Sequence, residues 1–219
     1  MNGADMLKIL LRVQRFLSRF GIGKGKGLTV DDYLLQSHDL SRLHLGCGNV
    51  HIPSWCNVDV LKTGATDLVV DIKTLPSIPD NCADIIYSCH VLEHFPHDEI
   101  SRILTRWNEV LKPGGEIRIS VPDLDAITRI YQKNIDHFNI PGNQPWIALF
   151  YGGQKDQFDF HKTGFNYCWL KLLLESSGFI EIEKYPHTPH FIPGLLDNSL
   201  AMEPFGEYIS LNIKARKRN

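Results

Sequence analysis

The sequence has little cysteine and no cysteine pairing pattern: Cys47, Cys56, Cys82, Cys89 and Cys168 include no C-x-x-C pair. An odd, scattered set argues against a disulfide framework or a structural zinc site and fits a reducing cytoplasm. No apolar run reaches the ~18–20 residues that a membrane-spanning helix needs. The apolar stretch near the N-terminus is not followed by a small-residue cleavage site, so no secretory signal is read there. Internal repeats are also absent. Overall charge excess is small, with 23 Lys and Arg against 25 Asp and Glu, but its distribution is uneven. Six basic residues and one acid precede Gly27, and four more basic residues close the chain from Lys214. That leaves 13 basic and 24 acidic residues between Leu28 and Leu211, a net of −11. Such a body repels a phosphate backbone, which argues against nucleic acid as the principal substrate.

At 219 residues, 43% hydrophobic and 22% charged, the composition is that of one globular domain with a substantial core. Over residues 6–20 the apolar Leu7, Leu10, Leu11, Phe16, Leu17 and Phe20 recur at helical spacing, with Lys8, Arg12, Arg15 and Arg19 toward the other side. This is a basic amphipathic helix, and the glycines up to Gly27 end it as a flexible link. It either lays its apolar side on the domain or lies at an anionic membrane surface, making residues 6–20 a candidate peripheral membrane contact. The expected organisation is therefore a helix and linker over 1–27 and a domain over 28–219.

Past the linker, short apolar runs alternate with helical patterns. Residues 43–45, 57–60, 68–71, 84–88, 116–121, 180–185 and 207–215 read as strands, and 98–111 and 166–177 as helices. Lys112, Pro113, Gly114 and Gly115 stop the first of these helices. Such alternation implies a largely parallel sheet with helices on both faces. Two stretches break the rhythm, 137–163 and 186–204; long ordered loops on an α/β scaffold tend to build the substrate pocket, so specificity is expected there.

The first strand ends in LHLGCGN over 43–49, placing Gly46 and Gly48 where a backbone must approach a nucleotide-like ligand. Asp59 closes the second strand, where a carboxylate can accept both hydroxyl protons of a ribose. Asp71 ends the third, where it and Ile72 can meet an adenine edge. The ordered set LHLGCGN, NVDV, VVDI, LPSIPDNCADIIYSCHVLEH and LKPGGEIRISVPD, with weaker support from LKLLLESSGF, resembles the class I S-adenosylmethionine-dependent methyltransferases and, within them, the type 11 branch.

That resemblance implies a Rossmann-like α/β fold whose seven-stranded, mostly parallel sheet has an antiparallel last strand. It implies that Gly46, Cys47 and Gly48 line the methionine and ribose portion of S-adenosylmethionine, that Asp59 binds the ribose, Asp71 and Ile72 the adenine, and Cys89 with His90 the methionine side. Two departures stand out. The family's acidic residue two positions before the first glycine is His44 here. Only residues 49–55 separate the glycine loop from the second strand, whereas a parallel crossover ordinarily takes a dozen or more, so the first crossover helix is expected to be shortened or missing.

Methyl transfer needs an aligned nucleophile and, for a hydroxyl, a proton acceptor. His161, in the long insertion, and His94 are the candidates, because free imidazole titrates near neutrality. Tyr151, Gln154 and Asp159 are candidate substrate ligands. The expected acceptor is a small molecule or glycan, methylated at a hydroxyl oxygen, with S-adenosylhomocysteine as product. The run from His90 to His94 matches the H-x-x-E-H zinc pattern, but that pattern needs both histidines on one helical face and His90 lies where a strand ends, so no metal is expected. The rivals are a nicotinamide-dependent dehydrogenase, disfavoured because its third glycine position is His51, a zinc hydrolase, and a non-catalytic cofactor-binding adaptor that docks on a membrane or partner.

Overall fold

A computed structural model of the protein describes residues 38–138, 147–202 and 206–219. The expected amphipathic helix and its linker lie outside the described residues. Seven strands form one sheet: β1 (Arg42–Leu45), β2 (Cys56–Asp59), β3 (Leu68–Val69), β4 (Ala83–Cys89), β5 (Leu111–Pro122), β6 (Phe179–Lys184) and β7 (Ser210–Lys217). Their order is β3-β2-β1-β4-β5-β7-β6, and β7 runs antiparallel to both its neighbours while the other pairs are parallel. The last strand begins at Ser210 rather than Glu207, because Tyr208 is taken up by an isolated bridge to Met202.

The order reverses direction between β1 and β4. In an open α/β sheet the crevice beyond the carboxyl ends of the strands at such a reversal is where ligands bind. The residues directly after β1 and β4 are Gly46 and His90, which places the glycine loop and the H-x-x-E-H run on the two lips of that crevice.

The crossover from β1 to β2 contains no helix, as its shortness predicts. The side chain of Asn57, fully buried on β2, shapes it instead. Its Oδ1 accepts from the Ile52 amide at 2.9 Å, and its Nδ2 donates to the carbonyls of Ile52 and Trp55, both at 3.1 Å, and to Asp67 Oδ2 at 2.7 Å. One amide side chain thus satisfies backbone groups that a helix would have paired internally.

Of the helices, α1 (His97–Val110) buries Ile100, Ile103, Leu104, Trp107 and Val110, a stripe at three- and four-residue spacing. Each of its fully buried aliphatic side chains contributes about 1.5–3 kcal/mol relative to exposure. It ends at Val110, and the segment from Lys112 to Gly115 does more than turn the chain: Ala83 pairs with Leu111 and Ile85 with Glu116, so the segment is a bulge inside β5. Helix α2 (Leu124–Lys133), not expected above, starts because Asp123 accepts from the amides of Asp125 and Ala126 at 3.1 and 3.3 Å. Ile127 and Ile130 on α2 pack with Ile209, and Leu149 and Phe150 of the short helix α4 (Ala148–Tyr151) join them. A single turn, α3 (Ile135–Phe138), follows α2. Helix α5 (Tyr167–Ser176) is capped by Asn166, which accepts from the Trp169 amide at 2.9 Å. No helix among the described residues is long and apolar enough to cross a membrane.

Candidate active site

The glycine loop is latched to β2. The amides of Gly46 and Cys47 both donate to the Val58 carbonyl, at 2.8 and 3.2 Å. Gly46 has φ +73°, and a Cβ there would overlap the side chain of Val91, so only glycine lets the loop lie against the turn that follows β4. Gly48, at φ +53°, faces open space. Its amide donates to Asp59 Oδ2 at 2.8 Å, and the Leu61 amide donates to Asp59 Oδ1 at 2.9 Å. A carboxylate oxygen accepts two hydrogen bonds, so after holding the loop each Asp59 oxygen retains one acceptor site. Cys47 is buried, with its thiol pushed up by burial, which removes it as a nucleophile.

Beside Asp59, Val60 and Leu61 are exposed apolar residues, 42% and 46% accessible. The sequence reading overlooked them. Their signal was present, since two apolar residues follow directly on a strand-end acid. Asp71 is exposed, and its Oδ1 accepts from the Lys73 amide at 2.9 Å. Ile72 is buried and its carbonyl accepts from Trp107 Nε1 at 2.8 Å, which anchors the turn after β3 to α1.

At the end of β4, Cys89 is partly buried and its thiol is pushed up by burial. His90 takes φ +53°, so it leaves the strand in a turn and shares no helical face with His94, which ends the 3-10 turn Leu92–His94. His90 Nε2 lies 2.8 Å from Ser210 Oγ, whose own proton goes to the Asn198 carbonyl at 2.6 Å. Ser210 must therefore accept, which puts the proton of neutral His90 on Nε2 and turns its Nδ1 lone pair toward Glu93 Oε1, 3.5 Å away. Burial lowers His90 to about 4 and raises Glu93 to about 8. Glu93 is 1% exposed, and neither of its carboxylate oxygens has a hydrogen-bond partner among the described residues.

His94 and His161, far apart in sequence, meet with ring centroids 5.2 Å apart. His94 Nδ1 donates to the Phe160 carbonyl at 3.1 Å and His161 Nδ1 to the Leu149 carbonyl at 3.3 Å. Backbone bonds hold the two segments together: Lys162 and Thr163 amides donate to the Glu93 carbonyl at 2.7 and 3.1 Å, and Thr163 Oγ1 donates to the Phe95 carbonyl at 2.7 Å. Desolvation lowers the pKa of both imidazoles. The candidate substrate ligands belong to the same loop. The His161 amide donates to the Tyr151 carbonyl at 3.1 Å, and the Gln154 amide to the Asp159 carbonyl at 2.9 Å. A side chain on Gly152 would overlap the backbone of Asp159 and His161, so this pairing also requires glycine. Tyr151, Phe158 and Phe160 are exposed there.

His44, two positions before Gly46, is 2% exposed. It stacks on Tyr87, and its Nδ1 donates to Asn57 Oδ1 at 3.0 Å, an acceptor already fixed by the Ile52 amide. His44, Asn57, Tyr87 and Arg118 are cross-strand neighbours in one row. Trp55 from the short crossover and His190 and Phe191 from the second insertion pack on this row, and Tyr87 donates its phenol proton to Asp197 Oδ2 at 2.5 Å. This part of the 186–204 stretch covers the sheet with aromatic rings.

Residues 55–119 match the family model described as a methyltransferase domain. Among curated proteins no match is found. Among solved structures, the chain is similar to an S-adenosylmethionine-dependent methyltransferase from Thermotoga maritima, a possible histamine N-methyltransferase, at 16% identity and TM-score 0.51, covering 96% of this chain and 97% of that one. It is similar to the 1,6-didemethyltoxoflavin-N1-methyltransferase of Burkholderia thailandensis at 13% identity and TM-score 0.50, covering 100% and 92%. It is also similar to a possible exported protein from Bordetella parapertussis at 14% identity and TM-score 0.50, covering 86% of this chain but spanning only 66% of that one's length. The chain thus has the fold of the class I S-adenosylmethionine-dependent methyltransferases and, over residues 55–119, a methyltransferase-domain signature.

Proposed function

We propose that this chain, with that fold and domain signature, is an S-adenosylmethionine-dependent methyltransferase acting on a hydroxyl oxygen of a small-molecule or glycan acceptor. The observation that carries the cofactor assignment is the pairing of the Gly48 amide with Asp59, which leaves an acceptor site on each carboxylate oxygen beside an open glycine at the crevice. The residues fit the cofactor. Asp59 accepts the ribose hydroxyls, Gly46, Cys47 and Gly48 lie along the ribose and methionine, and Cys89 and His90 border the methionine side. Val60 offers an apolar face to the adenine, with the Asp71 carboxylate and Ile72 at its edge. The didemethyltoxoflavin enzyme of similar fold was solved with S-adenosylhomocysteine bound, which supports the same product here.

When bound, the cofactor supplies a methyl group activated by its sulfonium. The protein's own task is to hold the acceptor oxygen in line with that carbon and remove its proton. Transfer would form the O–CH3 bond and break the S–CH3 bond, turning the sulfonium into a neutral thioether, with the acceptor's proton passing to solvent through the site. The Glu93, His94 and His161 cluster receives that oxygen, because it follows β4 directly and Val91 joins it to the glycine loop. Exposed Tyr151, Phe158 and Phe160 with the polar Gln154 and Asp159 suit a sugar-like acceptor, rings for stacking and amide or carboxylate for hydroxyls. The test is an acceptor screen that reads S-adenosylhomocysteine release with the purified chain. Turnover with hydroxylated acceptors is expected; turnover with amines alone overturns the oxygen assignment, and no turnover with any acceptor despite cofactor binding favours a non-catalytic binding protein.

A further inference from the structure

We propose that Glu93, His94 and His161 form a three-ligand site for a divalent transition-metal ion, one that takes mixed nitrogen and oxygen donors as zinc does. One ligand atom from each of the three lies within 4.8 Å of the other two. Donors on a single tetrahedral zinc ion are about 3.3 Å apart, so closure on an ion needs each pair to contract by at most about 1.5 Å.

Glu93 is the first reason. Its carboxylate is buried and neither oxygen has a hydrogen-bond partner among the described residues; His90, 3.5 Å away, turns a lone pair toward it because its Nε2 proton is committed to Ser210. A buried carboxylate in that setting requires a cation or a proton. The histidines decide for a cation. Each gives its Nδ1 proton to a backbone carbonyl, His94 to Phe160 and His161 to Leu149, which fixes the tautomer whose Nε2 is a lone-pair donor. An outer carbonyl holding the second ring nitrogen is the usual support of a metal-bound imidazole. Two imidazoles with one carboxylate suit zinc or another first-row divalent ion, whereas magnesium and calcium favour oxygen donors.

The H-x-x-E-H pattern in the sequence therefore points to the right neighbourhood through the wrong pair. His90 leaves the strand in a left-handed turn, and His161 from the long insertion supplies the second imidazole. Three protein ligands leave positions open on the ion. Resting on the methyltransferase reading, an acceptor oxygen occupying one of them loses its proton to solvent more readily. His94 and His161 then serve as ligands, not as the proton acceptors themselves.

The test uses the untagged full chain, stripped with a chelator. Zinc chloride is titrated by calorimetry, cobalt chloride by visible absorption, and S-adenosylhomocysteine affinity is measured in parallel. One equivalent of each ion is expected, with cobalt d–d bands in the visible. His161→Ala, His94→Ala and Glu93→Gln each weaken zinc binding tenfold or more, while His161→Ala keeps S-adenosylhomocysteine affinity within threefold, which reports an intact fold. Absence of binding by both ions, or binding unchanged in both histidine variants, overturns the proposal. Zinc binding without S-adenosylhomocysteine binding supports the metal site and removes the methyltransferase reading; the reverse result does the opposite.

Discussion

Gly46 lies against the side chain of Val91 so closely that no Cβ fits between them. Through this contact the loop after β1 and the turn after β4 are set face to face across the sheet's reversal point, and Glu93, with His94 beside it, follows two residues after Val91. The spacing between the loop after β1 and the turn after β4 is thus fixed by a single absent side chain.

Gly46→Ala is expected to combine the cost of a positive φ, about 1–2 kcal/mol for a residue with a Cβ, with displacement of Val91. Gly48→Ala carries the φ cost alone, since its Cβ would meet open space. Thermal melts should rank Gly46→Ala well below Gly48→Ala. Equal melting temperatures would contradict the packing described.

Asn57 replaces a helix as the organiser of the β1–β2 crossover. Asn57→Leu would leave the Ile52 amide and the His44 Nδ1 proton without their acceptor in the interior. Each such buried group costs about 1–3 kcal/mol. Urea denaturation should show a loss of about 2–6 kcal/mol for the two groups together; a loss below about 1 kcal/mol would mean that the crossover is held by other bonds.

Much of this architecture was legible in the sequence. The strand-end glycines and acids recur in order because local backbone geometry demands them, and the missing helix follows from counting residues between Gly48 and Cys56. What was not legible depends on distant segments. His94 and His161 are brought together by Phe160, Lys162 and Thr163 bonding to the turn at 93–95, a register that no local period encodes. The role of Asn57 was hidden for the same reason, as a buried amide in a strand has no periodic signature. Helix α2 is a different case: Asp123 followed by Ile127 and Ile130 is a cap and an apolar face within eight residues, and it could have been read.

Burial lowers the pKa of His44 from its ordinary 6.5. Asn57, Asp197 and Asp59 act against this shift, and His51 adds to it. With the folded value below the unfolded one, the unfolded chain binds the proton first. His44 therefore imposes no cost above pH 6.5 and lowers stability progressively below it, until the folded form also protonates. Urea midpoints of wild type and His44→Gln should diverge in slope between pH 7.5 and 5.5, with the wild type losing more. Parallel slopes would contradict a buried neutral imidazole.

Catalysed removal of the acceptor proton is worth about 10²–10⁴-fold in rate, and it runs through His161 whether the ring takes the proton or holds the ion that acidifies the hydroxyl. His161→Ala should lower kcat by about that factor while the cofactor dissociation constant stays nearly unchanged, since the ring lies with the insertion loop and not with the glycine loop. A variant with normal kcat would remove His161 from the chemistry.

The central claim is that the loop around Gly48 and the carboxylate of Asp59 together hold the adenosine end of S-adenosylmethionine. The most direct measurement is calorimetric titration of the wild type and Asp59→Ala with S-adenosylmethionine, with NAD as control. Saturable binding near one equivalent, weakened in Asp59→Ala by about 1.5–3 kcal/mol, the range for charge-assisted hydrogen bonds, and no binding of NAD are predicted. Binding of equal strength in Asp59→Ala, or preference for NAD, would contradict the account.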